Sequence, residues 1–390
     1  MEIYMSEKLF MIVGSFAMKA GVDKGISVFR VEKENGGLVF LGHFLKDVNA
    51  GQQCPGNLPG MDYITNECRD GSGRRGGGGE ILTVRFSAGD GTPEVVSRVS
   101  TLAPQPSYIC LDKTGKFAVV PHHVSDNYVT RIVKNGDNSF QAVTEYDDGA
   151  LVLFRMEKDG MPGDICDVYL CPGEQREDGY HEAHLHSAVM SPSGKYCIVC
   201  DKGTDRVYSF RLDHEAGKLL LADCMQAIPG SAPRYSAVHQ DKPLFYQNHE
   251  RLPLLNVLRC DEKTGRLVWA GSVSLLEDAE MAENWSGEGP ADLVFSENGK
   301  YLYASVRTAN LIAVLRIEED GTPTLIQNIN CGGKNPRGLC ISLDGRFLYS
   351  ANRDSGNIAM FWIDDDGKLH DSGVRTEANL PGNMKFVQTC

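Results

Sequence analysis

Histidine, arginine and glutamate, the side chains that move protons and hold anions near neutral pH, recur in this chain where apolar strand phrases begin and where the following ones end. The beginnings carry Ser107 and Tyr108, His184 and His186, Arg234 and Tyr235, Asp292, and Arg337. The ends carry Asn66 and Glu67, His122 and His123, Asp201, His249 and Glu250, Arg307, and Asn352 with Arg353. A set of this kind suits acid–base chemistry on an anionic small molecule, with imidazole or carboxylate for the proton and guanidinium for negative charge. It acts as one site only if the elements that carry it bring these places together.

Those elements are repeats. A phrase ending on glycine recurs seven times: ISVFRVEKENGG from Ile26, LTVRFSAGDG from Leu82, LVLFRMEKDG from Leu151, VYSFRLDHEAG from Val207, LNVLRCDEKTG from Leu255, IAVLRIEEDG from Ile312 and IAMFWIDDDG from Ile358. Glycine there supplies the positive φ of a tight hairpin, so each copy predicts strand, turn, strand. A second series runs in step: CLDKTGKF from Cys110, VMSPSGKY from Val189, VFSENGKY from Val294 and CISLDGRF from Cys340, with AVHQDKPLF from Ala237 lacking the glycine. Each unit then holds four antiparallel strands, A to D, in about 45 to 55 residues, which is the make-up of a propeller blade. The sequence predicts an all-β, seven-bladed β-propeller with four antiparallel strands per blade, residues 1–390 forming one domain. Strand A of the second blade is expected to be truncated, because no Gly-Lys-aromatic hairpin precedes MDYITNEC.

If strand A runs from one rim of the ring to the other and strand B returns, the starts of A and the ends of B meet at one mouth of the central channel. The residues named above would converge there. Long insertions fall on the same mouth: CRDGSGRRGGGG from Cys68 and SDNYVTRIVKNGDNSFQAVTEYDDG from Ser125 between B and C, and LCPGEQREDGYHEAH from Leu170 and LLEDAEMAENWSGEG from Leu275 between D and A. Long loops at one end of a rigid scaffold are where binding sites are usually built. The opposite rim, made of Gly-Lys and acidic-Gly turns, reads as ordinary solvated turn chemistry.

The formal charge of −13 argues against a nucleic-acid partner, which needs a basic stripe. No apolar run is long enough to span a bilayer, and MEIYMSEKLFMIVGSF lacks the basic start and cleavage site of a secretory signal, so a cytoplasmic protein is expected. The 12 cysteines are scattered, mostly within apolar strand phrases, and read as buried free thiols. Cys197 and Cys200 have zinc or redox spacing, but residues three apart on a strand point to opposite faces. A closed ring with no free sheet edge predicts a monomer.

The chain resembles the seven-bladed propeller lactonases, which include bacterial 6-phosphogluconolactonases of propeller type and fungal carboxymuconate cyclases. The matching phrases are HLHSAVMSPSGKYCIVCDKGTDRVYSFRLD from His184, GSAPRYSAV from Gly230, NHE from Asn248, LVFSENGKYLYASVRTANLIAVLRI from Leu293 and PRGLCISLDGRFLYSANRDSGNIAMFWID from Pro336. The likeness runs from MIVGSFAMKAGVDKGISVFRVE at Met11 to NMKFVQTC, where the ring would close. The resemblance implies a catalytic set of His186, Arg234, Glu250 and Arg307, with His184, Tyr235, Arg337, Asp292 and His123 against the substrate. Tyr235 stands where the family often has histidine.

Lactone hydrolysis needs an activated water, stabilisation of an oxyanion and a proton for the leaving alkoxide. Glu250 or His186 would be the base and the other the proton donor, Arg234 and Arg307 would hold negative charge, and no metal or other cofactor is required. The same groups would serve a cycloisomerase or lyase acting on another anionic molecule. Two further readings stay open: a metal site at His181, His184 and His186, joined by His122 or His123, and a non-catalytic interaction propeller. The favoured ligand is a sugar lactone, phosphorylated if Arg337 or the Gly-rich loop contributes.

Overall fold

The computed structural model describes residues 8–17, 24–124 and 127–389. Residues 1–7 of the stretch read for a secretory signal, residues 18–23 of the opening phrase and the first two residues of the insertion from Ser125 lie outside the described residues.

Each glycine-closed phrase folds as expected, and the strands assemble into seven four-stranded antiparallel sheets. Blade four is representative: Leu185–Met190, Tyr196–Asp201, Arg206–Asp213 and Lys218–Gln226 pair in that order. The A strands of successive blades pack side by side around the channel. Ring closure comes from the chain's end, because Pro381–Thr389 serves as strand A of blade one and pairs with Lys8–Ser15, Leu9 facing Gln388.

Alternating strand residues interdigitate between blades. Phe117, Val119, Leu151 and Leu153 of blade three bury against Ala188, Met190, Cys197 and Val199 of blade four. A polar tie repeats at the blade junctions. The Tyr63, Tyr246, Tyr303 and Tyr349 hydroxyls, all on B strands, donate to the carbonyls of Gly160, Gly321, Gly367 and Gly36, each in the acidic-Gly turn of the following blade, at 2.6 to 2.9 Å. The repeated glycine therefore has two tasks: it takes the positive φ (94° at Gly321) and offers its carbonyl to the neighbouring blade.

Two expectations are corrected. Strand A of blade two, Ala50–Pro55, is as long as that of blade four; the short one is in blade three, where only Cys110–Leu111 pairs regularly and Pro106 makes a single bridge to His122. The A–B turn of blade two needs no Gly-Lys phrase, because the loop of residues 57–60 closes it, the Met61 amide donating to the Leu58 carbonyl at 3.1 Å. The premise that ring closure leaves no free sheet edge also fails. The third-blade insertion forms a separate hairpin, Tyr128–Lys134 with Phe140–Tyr146, that pairs with no other strand among the described residues and exposes Tyr128, Ile132 and Phe140. The 11 cysteines among the described residues are free, Cys197 and Cys200 both buried.

Candidate active site

The channel mouth is built by one irregularity repeated around the ring. Where strand A begins, its pairing with strand B slips, leaving unpaired Gly382 and Asn383 in blade one, Gly51 and Gln52 in blade two, His186 in blade four, Arg234 and Tyr235 in blade five, Ala291 and Asp292 in blade six, and Arg337 in blade seven. A bulge bends the strand and re-aims a side chain. It also strips a backbone N–H of its ladder partner, and strand-B side chains take these up: Thr65 accepts from Gln52, Asn248 from Tyr235 and Ser305 from Asp292, at 2.9 to 3.0 Å. The bulged residues Gly51, His186, Arg234, Tyr235, Asp292, Arg337 and Asn383, together with Glu67, line one cavity in the channel.

A second ring lies above the first. The residue immediately after strand B is Phe16, Glu67, His123, Lys202, Glu250, Arg307 and Arg353 in blades one to seven. His123, Lys202 and Glu250 line an outer cavity of about 220 Å³ with His184, Arg251 and the Tyr180–Glu182 segment of the insertion from Leu170. The ring of Tyr180 stacks on Tyr146 at 3.8 Å, so two of the long insertions meet beside this cavity. Each catalytic or substrate-contacting residue that the resemblance implied faces one of the two cavities or contacts Glu250, which links them through Arg234, whereas Asn66, Ser107, Tyr108, His122, Asp201, His249, Asn352 and Arg353 line neither.

Glu250 is the centre of the charge network. Lys202 Nζ donates to its Oε1 at 2.7 Å and Arg234 Nε to its Oε2 at 3.0 Å, while Arg307 stands 3.9 Å from Oε2. Burial alone would push this carboxyl up, but Lys202, Arg234 and Arg307 together hold it well below the usual carboxylate range. Arg234 is buried, donates also to the Ala291 carbonyl, and lies 4.5 Å over the Tyr235 ring. Arg307 is fixed by the Gly289 carbonyl at 3.0 Å and Glu288 at 2.9 Å, yet its Nη2 is buried with no hydrogen-bond partner. Burial, and then Arg234, lower its pKa to about 10. Arg337 rests 4.6 Å over Phe16.

His186 stands between the cavities, edge-on to Tyr235 at 5.1 Å and to His123 at 5.6 Å, with Nδ1 buried and unpartnered. Burial, then Arg234 and Lys202, hold it well below the ordinary imidazole value, so the ring is neutral at neutral pH. His184 turns its Nδ1 to the His123 carbonyl. Asp292 uses both carboxylate oxygens on backbone, accepting from Leu293 at 2.9 Å and from Leu339 of blade seven at 2.8 Å. His181 pairs with Asp178 at 2.8 Å, apart from His186. Among the described residues no three His, Cys, Asp or Glu side chains are grouped to hold a metal ion.

Lys202 was not singled out from the sequence, since DKG reads as an ordinary turn. Its placement comes from Asp201, which accepts from the amides of His184 at 2.7 Å and Gly203 at 3.0 Å and so clamps the loop. Its position, one residue past strand B, was the available signal.

Residues 63–386 match the family model described as lactonase, 7-bladed beta-propeller. A 6-phosphogluconolactonase from Formosa agariphila is 26% identical over 237 residues, 60% of this chain and 58% of the relative. The chain thus aligns with less than two thirds of that relative's length. The fold is similar to that of the periplasmic gluconolactonase PpgL of Pseudomonas aeruginosa, with a TM-score of 0.79, 23% identity and coverage of 97% of this chain and 99% of that one. A protein from Lactobacillus plantarum is similar at a TM-score of 0.78 and 20% identity, over 97% and 99% of the two chains. The family match spans most of the chain, and every residue of the two rings except Phe16, Gly51 and Gln52: the protein belongs to the seven-bladed β-propeller lactonase family.

Proposed function

We propose that the protein hydrolyses the lactone of an anionic sugar acid, with 6-phosphogluconolactone the first candidate, at the mouth of the channel. The observation that carries this reading is the concentration of positive charge: Lys202, Arg234 and Arg307 converge on the carboxylate of Glu250, only Arg307 has a second one, the exposed Glu288, and Arg307 Nη2 makes no hydrogen bond among the described residues. Desolvated cations without matching anions favour a ligand that brings its own negative charge.

His186 is the base. It is neutral, it lines the inner cavity and no hydrogen bond among the described residues engages its ring, so it can take a proton from water as the water's oxygen attacks the lactone carbonyl. Glu250 is the weaker choice, because both its carboxylate oxygens already accept, from Lys202 at 2.7 Å and Arg234 at 3.0 Å. It orients Lys202 and Arg234 instead. Arg307 Nη2 donates to the oxyanion. Lys202 and Arg251, facing the outer cavity, meet the phosphate. Asp292 positions the inner strand of blade seven. The scheme calls on no metal: its base and its oxyanion donor are the side chains of His186 and Arg307.

The test is hydrolysis of freshly generated 6-phosphogluconolactone beside gluconolactone, with and without chelator and corrected for spontaneous opening. The expected result is acceleration that is larger for the phosphorylated lactone and indifferent to chelator. Acceleration of neither lactone contradicts the reading.

A further inference from the structure

The base at His186 leaves one proton unaccounted for, the one that the ring oxygen needs as it departs. Glu67 occupies the same blade position as Glu250, one residue past strand B, but in a different setting. Among the described residues no hydrogen bond or ion pair engages its carboxyl, which lines the inner cavity with His186, Arg234, Tyr235 and Arg337. Gly51 lies against it so closely that a Cβ there would sit 1.7 Å from Oε1. The missing side chain at the bulge of blade two is what gives this carboxyl its place in the channel.

We infer that Glu67 is the general acid of the site, protonating the lactone ring oxygen while His186 takes the proton of the attacking water. This rests on the hydrolase reading above. In the step, the water oxygen bonds to the acyl carbon, the acyl carbon to ring oxygen bond breaks, and the Glu67 proton ends on the released hydroxyl. The product acid ionises, the His186 proton leaves to solvent and Glu67 is reprotonated from it, so each turnover releases one proton. The environment supports the role: burial raises Glu67 to about 8 against the pull of Arg337, Arg234 and Lys202, so it carries its proton at neutral pH. Two carboxyls driven apart by their surroundings, one ionised and one protonated, are a recurrent sign of divided roles.

The experiment is the pH profile of kcat on 6-phosphogluconolactone for wild type, Glu67→Gln and Gly51→Ala, with folding checked by circular dichroism. Wild type should lose rate as pH rises through about 8. Glu67→Gln should fall roughly 100-fold and lose that limb, in line with the usual contribution of a general acid. Gly51→Ala, which displaces the carboxyl but keeps it in the chain, should fall in the same direction. A folded Glu67→Gln with wild-type rate and an intact alkaline limb overturns the assignment; should that variant not fold, a Gly51→Ala protein with an unchanged rate and limb does so. If wild type opens neither lactone, the hydrolase reading itself fails and takes the acid role with it.

Discussion

The two rims of this propeller are made by the same four strands, yet one spends its polar groups on itself and the other does not. On the turn rim, Asp112, Ser191, Ser296 and Ser342 each accept from the amide five residues on, that of Phe117, Tyr196, Tyr301 and Phe347. The Gly-Lys hairpins are thereby closed by their own first residue, and the acidic-Gly turns give carbonyls to the tyrosines of the preceding blade. On the bulged rim, Arg307 Nη2 and His186 Nδ1 are buried with no hydrogen-bond partner among the described residues. Leaving such groups unpaired costs stability, which a fold tolerates where a ligand takes them up. The comparison separates polar residues that the repeat needs from polar residues that the chemistry needs.

The sharpest way to break it is to remove the carboxylate that ties the outer cavity to Arg234 of the inner one. Glu250→Gln leaves Lys202, Arg234 and Arg307 without their common anion, and should lower stability by roughly 3 kcal/mol as well as activity, since breaking a buried ion pair strands its partners. Thermal unfolding beside kcat reads both. Next, Arg307→Ala should cost about 100-fold in kcat on the lactone, the scale of one oxyanion donor, with a smaller stability loss. A third test uses pH. Because His186 is held well below 6.5, and it is the neutral ring that acts, kcat/KM should stay flat as pH falls through 6.5 and decline only lower; an acid limb centred at 6.5 would remove His186 as the base. The smallest effect belongs to the other rim: Tyr246→Phe should cost about 1 kcal/mol through its lost bond to Gly321 and leave the rate alone.

The ring was legible because its signal is repetition. Seven glycine-closed phrases mark the C–D hairpins, and the alternation of A and B is enough to predict that His186, Arg234, Glu250 and Arg307 lie at one mouth. What stayed hidden has physical causes. A bulge adds a residue or two to a strand without changing its composition, so Gly51 looks like any other glycine rather than the floor beneath Glu67. Lys202 is aimed by the backbone contacts of Asp201, and a sequence does not display contacts. Asp292 reads as a channel carboxylate but is spent on the amides of Leu293 and Leu339. Which of His186 and Glu250 is the base was undecidable from residue types, because the answer depends on three cations around one carboxylate.

The most direct test of the central claim is kcat/KM for 6-phosphogluconolactone in wild type and His186→Ala, each corrected for spontaneous opening and each shown to be folded. The account predicts acceleration by the wild type and a loss of at least about 100-fold in the variant, the usual scale of a general base. A folded His186→Ala protein that opens the lactone at the wild-type rate would contradict it.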